Sequence, residues 1–256
     1  MRVPRKDLRV PDAEADIYLV GLGIGGFERR TVEAHNILSE CGFIAHLTAF
    51  DDAIKVTYQA DVYDLGVINA SSDEPSMVYR QIAEVVIEAH RNYKGFGPVA
   101  LVFYGHPLWL VSISWDLIEK SGQNGIRVKA VPGMTFIDQI IGDLAIRMDR
   151  GVQIYEASIF HGERIIPDTR YPLVLPQFGE FASEKLRPSG DIVSRMRPMV
   201  KRLQSLYPSE RRTSLILSPW RGDMEPQITS VPVRDLGALV PSTHPGASLV
   251  VHGEEQ

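Results

Sequence analysis

The stretch Val99-Ala-Leu-Val-Phe-Tyr-Gly-His-Pro-Leu-Trp-Leu-Val-Ser112 decides how the rest of the chain is interpreted. Its first five residues are apolar, a run too short for an independent helix and typical of a strand buried on both faces. The run ends at Tyr104-Gly-His-Pro107, where glycine permits an unusual backbone conformation and proline fixes the next turn. Ligands bind at the carboxyl ends of strands in parallel α/β sheets, so this tetrapeptide is a candidate ligand-binding loop. A simple turn from strand to helix is equally compatible with these residues.

The bulk composition is that of a globular protein in a reducing compartment. With 256 residues, 44% hydrophobic and 23% charged, the chain can form one large domain or two of ordinary size. Its net charge of −5 argues against nucleic-acid binding, which usually requires a basic surface patch. The single cysteine, Cys41, excludes an intrachain disulfide and a cysteine-rich metal site. We therefore expect a cytoplasmic location.

Neither a membrane span, nor a secretion signal, nor a metal site is predicted. No apolar run approaches the roughly 20 residues that a membrane-spanning helix needs. Residues 1–15 are charged, contain proline and lack the apolar core of a signal peptide, and we expect them to form a flexible arm. The seven histidines are scattered, with no His-x-x-x-His pair that would favour a metal ion.

Up to about residue 150, buried strand patterns alternate with amphipathic helix patterns. This order is typical of a parallel sheet with helices on its faces. The segment 61–72 is interpreted as a strand end followed by a loop that includes residues 69–75. The predicted strands lie just before Gly21 and at 43–47, 99–103 and 127–131, and the predicted helices at 31–39, 75–92, 114–121 and 136–144.

Beyond residue 150 strands outnumber helices, which predicts a second domain with a mixed sheet. The predicted strands are 152–157, 173–178, 214–218, 227–232 and 248–252, with one helix at 193–206. The sequence thus predicts an α/β fold made of the arm, an N-terminal α/β domain over residues 16–132 and a C-terminal mixed α/β domain over residues 133–256.

The glycine cluster Gly21-Leu-Gly-Ile-Gly-Gly26 formally matches the G-x-G-x-x-G fingerprint of dinucleotide-binding domains. That fingerprint also requires an acidic residue about 20 positions later, at the end of a second strand. Asp51 and Asp52 come slightly late, after a weak strand pattern. The cluster therefore indicates a sharp turn with close backbone approach, and a nicotinamide-dependent oxidoreductase remains an alternative.

Three motifs, in this order and spacing, resemble the tetrapyrrole methylase family, the class III S-adenosylmethionine-dependent methyltransferases. They are the strand that ends in Gly21-x-Gly-x-Gly25, the loop Tyr104-Gly-His-Pro107 at the position where relatives carry Gly-Asp-Pro, and Val131-Pro-Gly-Met-Thr135. The resemblance covers about residues 16–252.

Within that family, Phe103-Tyr-Gly-His-Pro107 and Tyr155-Glu-Ala-Ser158 are most similar to the borosin-type peptide backbone N-methyltransferases. The resemblance implies a fold with two α/β domains, S-adenosyl-L-methionine bound in the cleft between them, and a homodimer. It implies methyl transfer to a peptide backbone amide or to a small-molecule acceptor. No fused peptide substrate follows residue 252, so we expect a peptide acceptor to be a separate molecule.

By position, the resemblance assigns roles to residues of both predicted domains. It places Gly21, Gly23 and Gly25 in the trough that holds the acceptor. The residues assigned to the cofactor are Tyr104, Gly105, His106, Pro107, Gly133, Thr135, Ala157, Ser158, Gln177 and Phe178.

Tyr79 and Tyr104 are the candidate catalytic residues. A sulfonium methyl group is already activated, so its transfer needs a positioned nucleophile and no metal. A carbon or amide-nitrogen acceptor must also lose a proton, which requires a general base or an oxyanion stabiliser nearby. Tyr79 lies on the predicted long helix, where borosin-type enzymes carry a catalytic tyrosine; packing is the alternative role for a tyrosine at this spacing.

The chain departs from the borosin pattern just before this helix, because Gly66–Pro75 contains neither tyrosine nor arginine. A protein that binds S-adenosylmethionine without acceptor chemistry is therefore a further alternative. We expect this segment and the entrance beyond Trp109 to select the acceptor. The side chains of Trp109 and Trp115 are themselves expected to pack in the core.

Overall fold

The computed structural model describes residues 14–188 and 190–254, which form two compact units. The first unit extends to Phe136 and includes Trp220–Met224, and the second consists of Ile137–Pro219 and the residues from Glu225 onward. The boundary between the units thus lies four residues after the predicted one at Pro132, and Trp220–Met224 groups with the N-terminal residues.

Most of the predicted arm, residues 1–13, lies outside the described residues. Glu14 and Ala15, at the end of that arm, are held in place: Ala15 is buried and Glu14 forms an ion pair with Lys129. Asp16 adds a second pair, with its carboxylate 3.0 Å from the guanidinium of Arg127. The ordered fold therefore includes the residues immediately before the first strand.

The first unit is a five-stranded parallel sheet with helices between its strands, as the sequence predicts. The strand order is β3-β2-β4-β1-β5. Its elements are β1 (Ile17–Gly21), α1 (Val32–Glu40), β2 (Phe43–Leu47), α2 (Asp51–Thr57), β3 (Asp61–Asp64), α3 (Gly66–Ser71), α4 (Pro75–Asn92), β4 (Val99–Phe103), α5 (Ser112–Gln123) and β5 (Val128–Val131).

The best predicted elements of this unit have strong local signals. Every residue of β1 and β4 is buried, as expected of central strands covered on both faces. Helix α4 begins at Pro75, whose fixed φ suits a first helical turn. Helix α1 is capped by Thr31, whose hydroxyl accepts a hydrogen bond of 3.0 Å from the N–H of Ala34.

Two short helices of this unit were not predicted. Residues Gly66–Ser71 form α3, so the first three residues of the predicted loop 69–75 are helical and that part of the expectation is wrong. Residues Asp51–Thr57 form α2, for which the sequence analysis proposes no element. Both helices lie close to the carboxyl ends of β2 and β3, so they contribute to the surroundings of the loops at that edge of the sheet.

The second unit is built on a mixed sheet, also as predicted, with strand order β6-β7-β10-β8-β9. Only β6 and β7 pair in parallel among its neighbouring strands. Its elements are α6 (Phe136–Leu144, beginning at the last residue of the first unit), β6 (Gln153–Ile154), α7 (Ala157–Gly162), β7 (Leu173–Leu175), α8 (Ile192–Leu206), β8 (Arg212–Leu217), β9 (Gln227–Pro232) and β10 (Ser248–Val251).

Helix α8 covers this sheet through Met196, Met199, Val200 and Leu203, which are buried in the core of the second unit. Two predicted strands are shorter than expected: 152–157 forms strand only at Gln153–Ile154, and 173–178 only at Leu173–Leu175. Across the described residues, none of the helices combines the length and apolarity required to cross a bilayer.

Candidate functional site

Three loops of the first unit meet at one edge of its sheet. They are the glycine loop (21–26), the Tyr104–Pro107 loop and the turn 132–135, which follow the neighbouring strands β1, β4 and β5. The glycine loop and the second loop are joined by reciprocal backbone hydrogen bonds, from the N–H of Gly105 to the carbonyl of Gly23 at 3.0 Å and from the N–H of Gly23 to the carbonyl of Gly105 at 3.3 Å. Motifs that are far apart in the sequence therefore form one cluster in the fold.

The contacts within this cluster are too close for any residue larger than glycine. A Cβ atom added at Gly21 would lie 2.3 Å from the carbonyl oxygen of Gly105. One added at Gly133 would lie 2.5 Å from the same oxygen and 2.6 Å from the backbone nitrogen of Gly23. Gly21 and Gly133 are therefore required where the three loops touch.

Tyr104 links this cluster to a neighbouring cavity. Its hydroxyl accepts a hydrogen bond from the backbone N–H of Gly25, and burial raises its pKa to about 12. The phenol is therefore protonated near neutral pH, where it can donate a hydrogen bond but is a poor general base. Of the two roles considered for Tyr104, the environment favours stabilisation of an oxyanion.

The cavity has a volume of about 460 Å³ and lies at the carboxyl ends of β2, β3 and β4. Polar groups and two aromatic side chains surround it, and no lysine or arginine is among the described residues that line it. The lining residues are Leu47, Thr48, Ala49, Asp64, Gly66, Asn69, Tyr104 and Trp220. Its position matches the general location of ligand sites in parallel sheets.

Sequence reasoning missed most of this cavity. Asp64 and Thr48 lie at the ends of strands, which is a signal that the sequence offers. Trp220 comes from a segment far along the chain, after the end of β8, and no local pattern links it to the other lining residues. Gly66 and Asn69 belong to the segment that was expected to select the acceptor. Tyr79 is half-buried on α4 and is not among the cavity-lining residues, so the structure does not place the two candidate tyrosines in one pocket.

The other predicted residues of the first unit have local structural contacts. The Nδ1 atom of His106 accepts a hydrogen bond of 3.1 Å from the N–H of Leu108, which shapes the loop. Pro107 is buried, and Thr135 is half-buried. The expectation that Trp109 and Trp115 pack in the core is wrong, since their exposed fractions are 41% and 55%. Trp109 lies in the surface turn before α5, and Trp115 lies on an exposed side of the first part of α5.

The predicted residues of the second unit also lie together. Ala157 and Ser158 follow β6, and Gln177 and Phe178 follow β7, its parallel neighbour, so all four lie at the same end of the sheet. The hydroxyl of Ser158 accepts a hydrogen bond of 3.1 Å from the N–H of Ala182. Gln177 has the left-handed conformation, with φ of 51°, which is uncommon for a residue with a side chain. Such strained positions often occur at functional turns.

Glu180 is a titratable group at this same end that the sequence analysis did not identify. Burial, together with the nearby carboxylate of Glu156, raises its pKa to about 7, and the guanidinium of Arg195 opposes that shift. Glu156 is itself engaged, because its carboxylate accepts a hydrogen bond of 2.8 Å from the N–H of Ile159 and so caps α7. A carboxyl group with a pKa near 7 is a functional-site candidate.

The structure does not support the dinucleotide alternative. The classic dinucleotide-binding sheet has strand order 3-2-1-4-5, whereas β1 and β4 are exchanged here. The glycine loop leads into a short 3-10 turn at Phe27–Arg29, and α1 starts only at Val32, so no α-helix N-terminus faces the loop to hold a pyrophosphate. Asp51, the proposed ribose ligand, is paired with Lys55 at 2.6 Å.

Among the described residues, no group of three or more histidine, cysteine, aspartate or glutamate side chains is arranged to hold a metal ion. Cys41 is buried, and burial raises the pKa of its thiol, so it is not a reactive nucleophile.

Comparison with known proteins identifies a family and a fold. The sequence profile of the tetrapyrrole (corrin/porphyrin) methylases matches residues 16–163, which is more than half of the chain. A uroporphyrin-III C-methyltransferase from Thermus thermophilus superposes with a TM-score of 0.64 at 20% identity, over 93% of this chain and 92% of that one. A structure of such an enzyme from the same organism, complexed with S-adenosylhomocysteine, gives a TM-score of 0.60 at 15% identity, over 92% and 96% of the two chains. At these identities the likeness shows the fold.

Curated relatives include borosin precursors. The methyltransferase/ribosomally synthesized type III borosin cyclic peptide precursor of Anomoporia bombycina is 26% identical over 196 residues, which are 75% of this chain and 22% of that protein. The chain spans between 22% and 46% of the length of the curated relatives that it matches.

Proposed function

Because this chain belongs to the tetrapyrrole methylase family, we propose that it is an enzyme that transfers the methyl group of S-adenosyl-L-methionine to a peptide or small-molecule acceptor. The observation that carries the proposal is the cluster of the three motif loops, where backbone atoms of Gly21, Gly105 and Gly133 are in contact beside an open cavity. Relatives that act on a tetrapyrrole and relatives that are borosin precursors support the two acceptor classes.

The cofactor would be held by the residues that the motifs assign to it. In the first unit these are the loop Tyr104–Pro107 with Gly133 and Thr135, and in the second unit Ala157, Ser158, Gln177 and Phe178. The chemistry of the first unit fits a sulfonium compound, because the described lining of the adjoining cavity carries a carboxylate and no positively charged side chain. The bound cofactor would supply an activated methyl group.

We propose that the acceptor binds in the cavity beside Tyr104. The protonated Tyr104 would donate a hydrogen bond to an acceptor oxygen on which negative charge develops. Asp64 is the carboxylate on the cavity wall, and its Oδ1 is fixed by the N–H of Gly66 at 2.8 Å. It would accept the proton that the acceptor atom loses as the new bond to carbon forms.

Calorimetry with S-adenosylmethionine, S-adenosylhomocysteine and NADH on the purified protein tests the cofactor assignment. We expect both adenosyl-sulfur ligands to bind and NADH not to bind. His106→Ala should weaken their binding, because it removes the ring nitrogen that accepts the hydrogen bond from the N–H of Leu108 and so shapes the loop. His90→Ala, on α4, should leave their binding unchanged. Binding of NADH alone would overturn the proposal in favour of an oxidoreductase.

Mass spectrometry then tests the transfer, with uroporphyrinogen and unstructured peptides as trial acceptors and a gain of one methyl group as the readout. With an acceptor identified, we expect Tyr104→Phe to lower kcat by about 100-fold and to weaken S-adenosylhomocysteine binding far less, because phenylalanine keeps the aromatic ring in the cofactor loop and removes only the hydroxyl. Tyr79→Phe is the matched variant outside the cavity lining, and a larger loss there would transfer the catalytic role to Tyr79.

A protein that binds the cofactor without transferring its methyl group is the second candidate. The composition of α3 favours this candidate. The helix contributes Gly66 and Asn69 to the wall of the cavity and carries neither the tyrosines nor the arginine of borosin-type enzymes. Cofactor binding without a methylated product for any trial acceptor would support this candidate.

For both candidate functions we expect a cytoplasmic homodimer, and light scattering on the purified protein tests the oligomeric state.

A further inference from the structure

A second cavity lies wholly within the C-terminal unit, at the opposite end of its sheet from Ser158 and Gln177. Its walls come from the segments that precede β6, β7 and β8 and from the segment that follows β10. Because β7 and β8 run parallel to each other and antiparallel to β10, these segments all meet at one edge. The cavity has a volume of about 750 Å³, in the range of sites for small organic ligands.

The charge of this cavity is opposite to that of the whole chain. The net charge of the protein is −5, yet five arginines and only two acidic residues line the cavity. These are Arg147, Arg150, Arg170, Arg211 and Arg212, with Glu210 and Glu254. Such a concentration of guanidinium groups in a concave, partly apolar site favours a negatively charged ligand.

Three of the five arginines are already engaged. Arg147 pairs with Asp149 at 2.7 Å, and Arg170 pairs with Asp168 at 2.6 Å. Arg211 is 10% exposed and donates hydrogen bonds to the carbonyl oxygens of Thr169 and His252 at 3.1 and 3.2 Å. The contacts of the nearly buried Arg211 hold its guanidinium group in place on the cavity wall, whereas Arg147 and Arg170 form exposed ion pairs.

Arg150 and Arg212 are different. Within residues 14–188 and 190–254, neither side chain makes a hydrogen bond or an ion pair; the charge of Arg150 acts on the carboxylate of Asp149, which is itself hydrogen-bonded to Arg147. The two acidic lining residues do not neutralise them, since Glu210 pairs with Arg234 and Glu254 lies 3.6 Å from Arg211. Two guanidinium groups on this cavity therefore have their donors available for a ligand.

The remaining lining suits a molecule larger than an inorganic ion. Leu144, Ile146, Tyr171, Pro172 and Pro208 give part of the wall an apolar surface. His252 is neutral near pH 7, because burial lowers its pKa to about 4, and its ring nitrogen bonds to Ser214 at 2.8 Å. It adds a polar contact without adding charge.

We propose that this cavity is a second binding site, separate from the methyltransferase chemistry, for a small organic anion that carries at least two carboxylate or phosphate groups. Arg150 and Arg212 would bind the anionic groups, and the apolar wall would contact the body of the ligand. The proposal does not depend on the identity or the activity of the proposed methyltransferase site.

Calorimetry tests this proposal on the full chain. S-adenosylhomocysteine is present in excess throughout, so that the probes cannot bind at the proposed cofactor site. The probes are ATP, citrate and adenosine. We expect one equivalent of ATP or citrate to bind and adenosine, which lacks the anionic groups, not to bind. Binding of ATP alone assigns the site to phosphates and binding of citrate alone assigns it to carboxylates. Binding of neither overturns the proposal.

The variant Arg150→Gln/Arg212→Gln should weaken binding of the anion by at least about tenfold, because it removes both available guanidinium groups. Arg197→Gln, on the exposed face of α8 in the same unit, is the matched control and should change the affinity by less than about twofold. Both variants replace exposed side chains, and circular dichroism checks that they fold. Unchanged affinity in the folded double variant would also overturn the proposal.

Discussion

At the scale of single residues, Gly133 is the position where the loop cluster tolerates least change. A Cβ atom there would lie within 2.7 Å of three backbone atoms from two other loops, and none of these atoms can rotate away as a side-chain end could. We expect Gly133→Ala to lower the free energy of unfolding by about 2 to 4 kcal/mol, measured by chemical denaturation.

Gly142→Ala is the matched control for this prediction. Gly142 lies in α6, where an added Cβ would meet nothing within 4 Å. Alanine should therefore raise the free energy of unfolding by up to about 1 kcal/mol, as at any exposed helical glycine. A Gly133→Ala protein as stable as the wild type would show that the three loops can separate without cost.

The raised pKa of Glu180 predicts that the free energy of unfolding depends on pH. Its pKa is raised from 4.5 to about 7 in the folded protein, so between these values the folded state binds more protons than the unfolded state. The free energy of unfolding should therefore fall as pH rises through this window. We expect Glu180→Gln to raise the free energy of unfolding at pH 8 by about 1 to 2 kcal/mol, because partial exposure screens the full effect of the shift.

The measurement for Glu180 is urea denaturation at pH 5 and pH 8. Glu184→Gln, which changes an exposed carboxyl group four residues away, should leave the difference between the two pH values unaltered. If Glu180→Gln also leaves it unaltered, the carboxyl group is ionised at a normal pKa and the burial argument is wrong.

At the scale of elements, how well the sequence predicts an element depends on its length and burial. Strand β4 and helix α4 are predicted to the residue, because an uninterrupted apolar run and a proline in the first helical turn are strong local signals. The bounds of β2 are also predicted correctly, although His46 interrupts its apolar run and makes the pattern weaker. Helices α2 and α3 are missed because they are short and bury little apolar surface: Ile54 is the one buried residue of α2, and α3 has none.

The candidate site shows the same division. The three motif loops follow strands that the sequence marks clearly, so their meeting at one sheet edge could be expected. Trp220 and the arginine-lined cavity could not be expected. Their residues come from separate segments that only the tertiary fold brings together, and no local pattern encodes that pairing.

Helix α8 carries a prediction at this scale, because Pro198 lies inside it. Proline has no N–H to donate to the carbonyl of Ser194 and strains the preceding turn. We expect Pro198→Ala to raise the free energy of unfolding by about 1 to 2 kcal/mol, less than the full helix-interior cost of proline because proline also restricts the unfolded chain.

Lys201→Ala, an exposed change on the same helix, is the control for this prediction and should alter the unfolding free energy by less than about 0.5 kcal/mol. Urea denaturation measures both variants. A destabilised Pro198→Ala protein would mean that the bend imposed by proline is needed for Met196 and Met199 to reach the core.

At the scale of the whole molecule, cofactor binding and methyl transfer are supported by different observations. Family membership supports S-adenosylmethionine binding, whereas the segment before α4 lacks the tyrosines and arginine of borosin-type enzymes and favours a protein that binds the cofactor without transfer. A ligand that binds only the folded state stabilises it in proportion to the logarithm of its concentration, whether or not any reaction follows. Ligand-dependent unfolding therefore separates binding from catalysis.

We expect S-adenosylhomocysteine, at about 100 times its Kd, to raise the apparent free energy of unfolding by about 2.7 kcal/mol, and NADH at the same concentration to leave it unchanged. Gly133→Ala should abolish the stabilisation, because it separates the loops that would hold the cofactor, whereas Gly142→Ala should retain it. Stabilisation by S-adenosylhomocysteine without a methylated product would identify a binding protein built on an enzyme fold. Stabilisation by NADH instead would mean that the glycine loop holds a dinucleotide despite the exchanged order of β1 and β4.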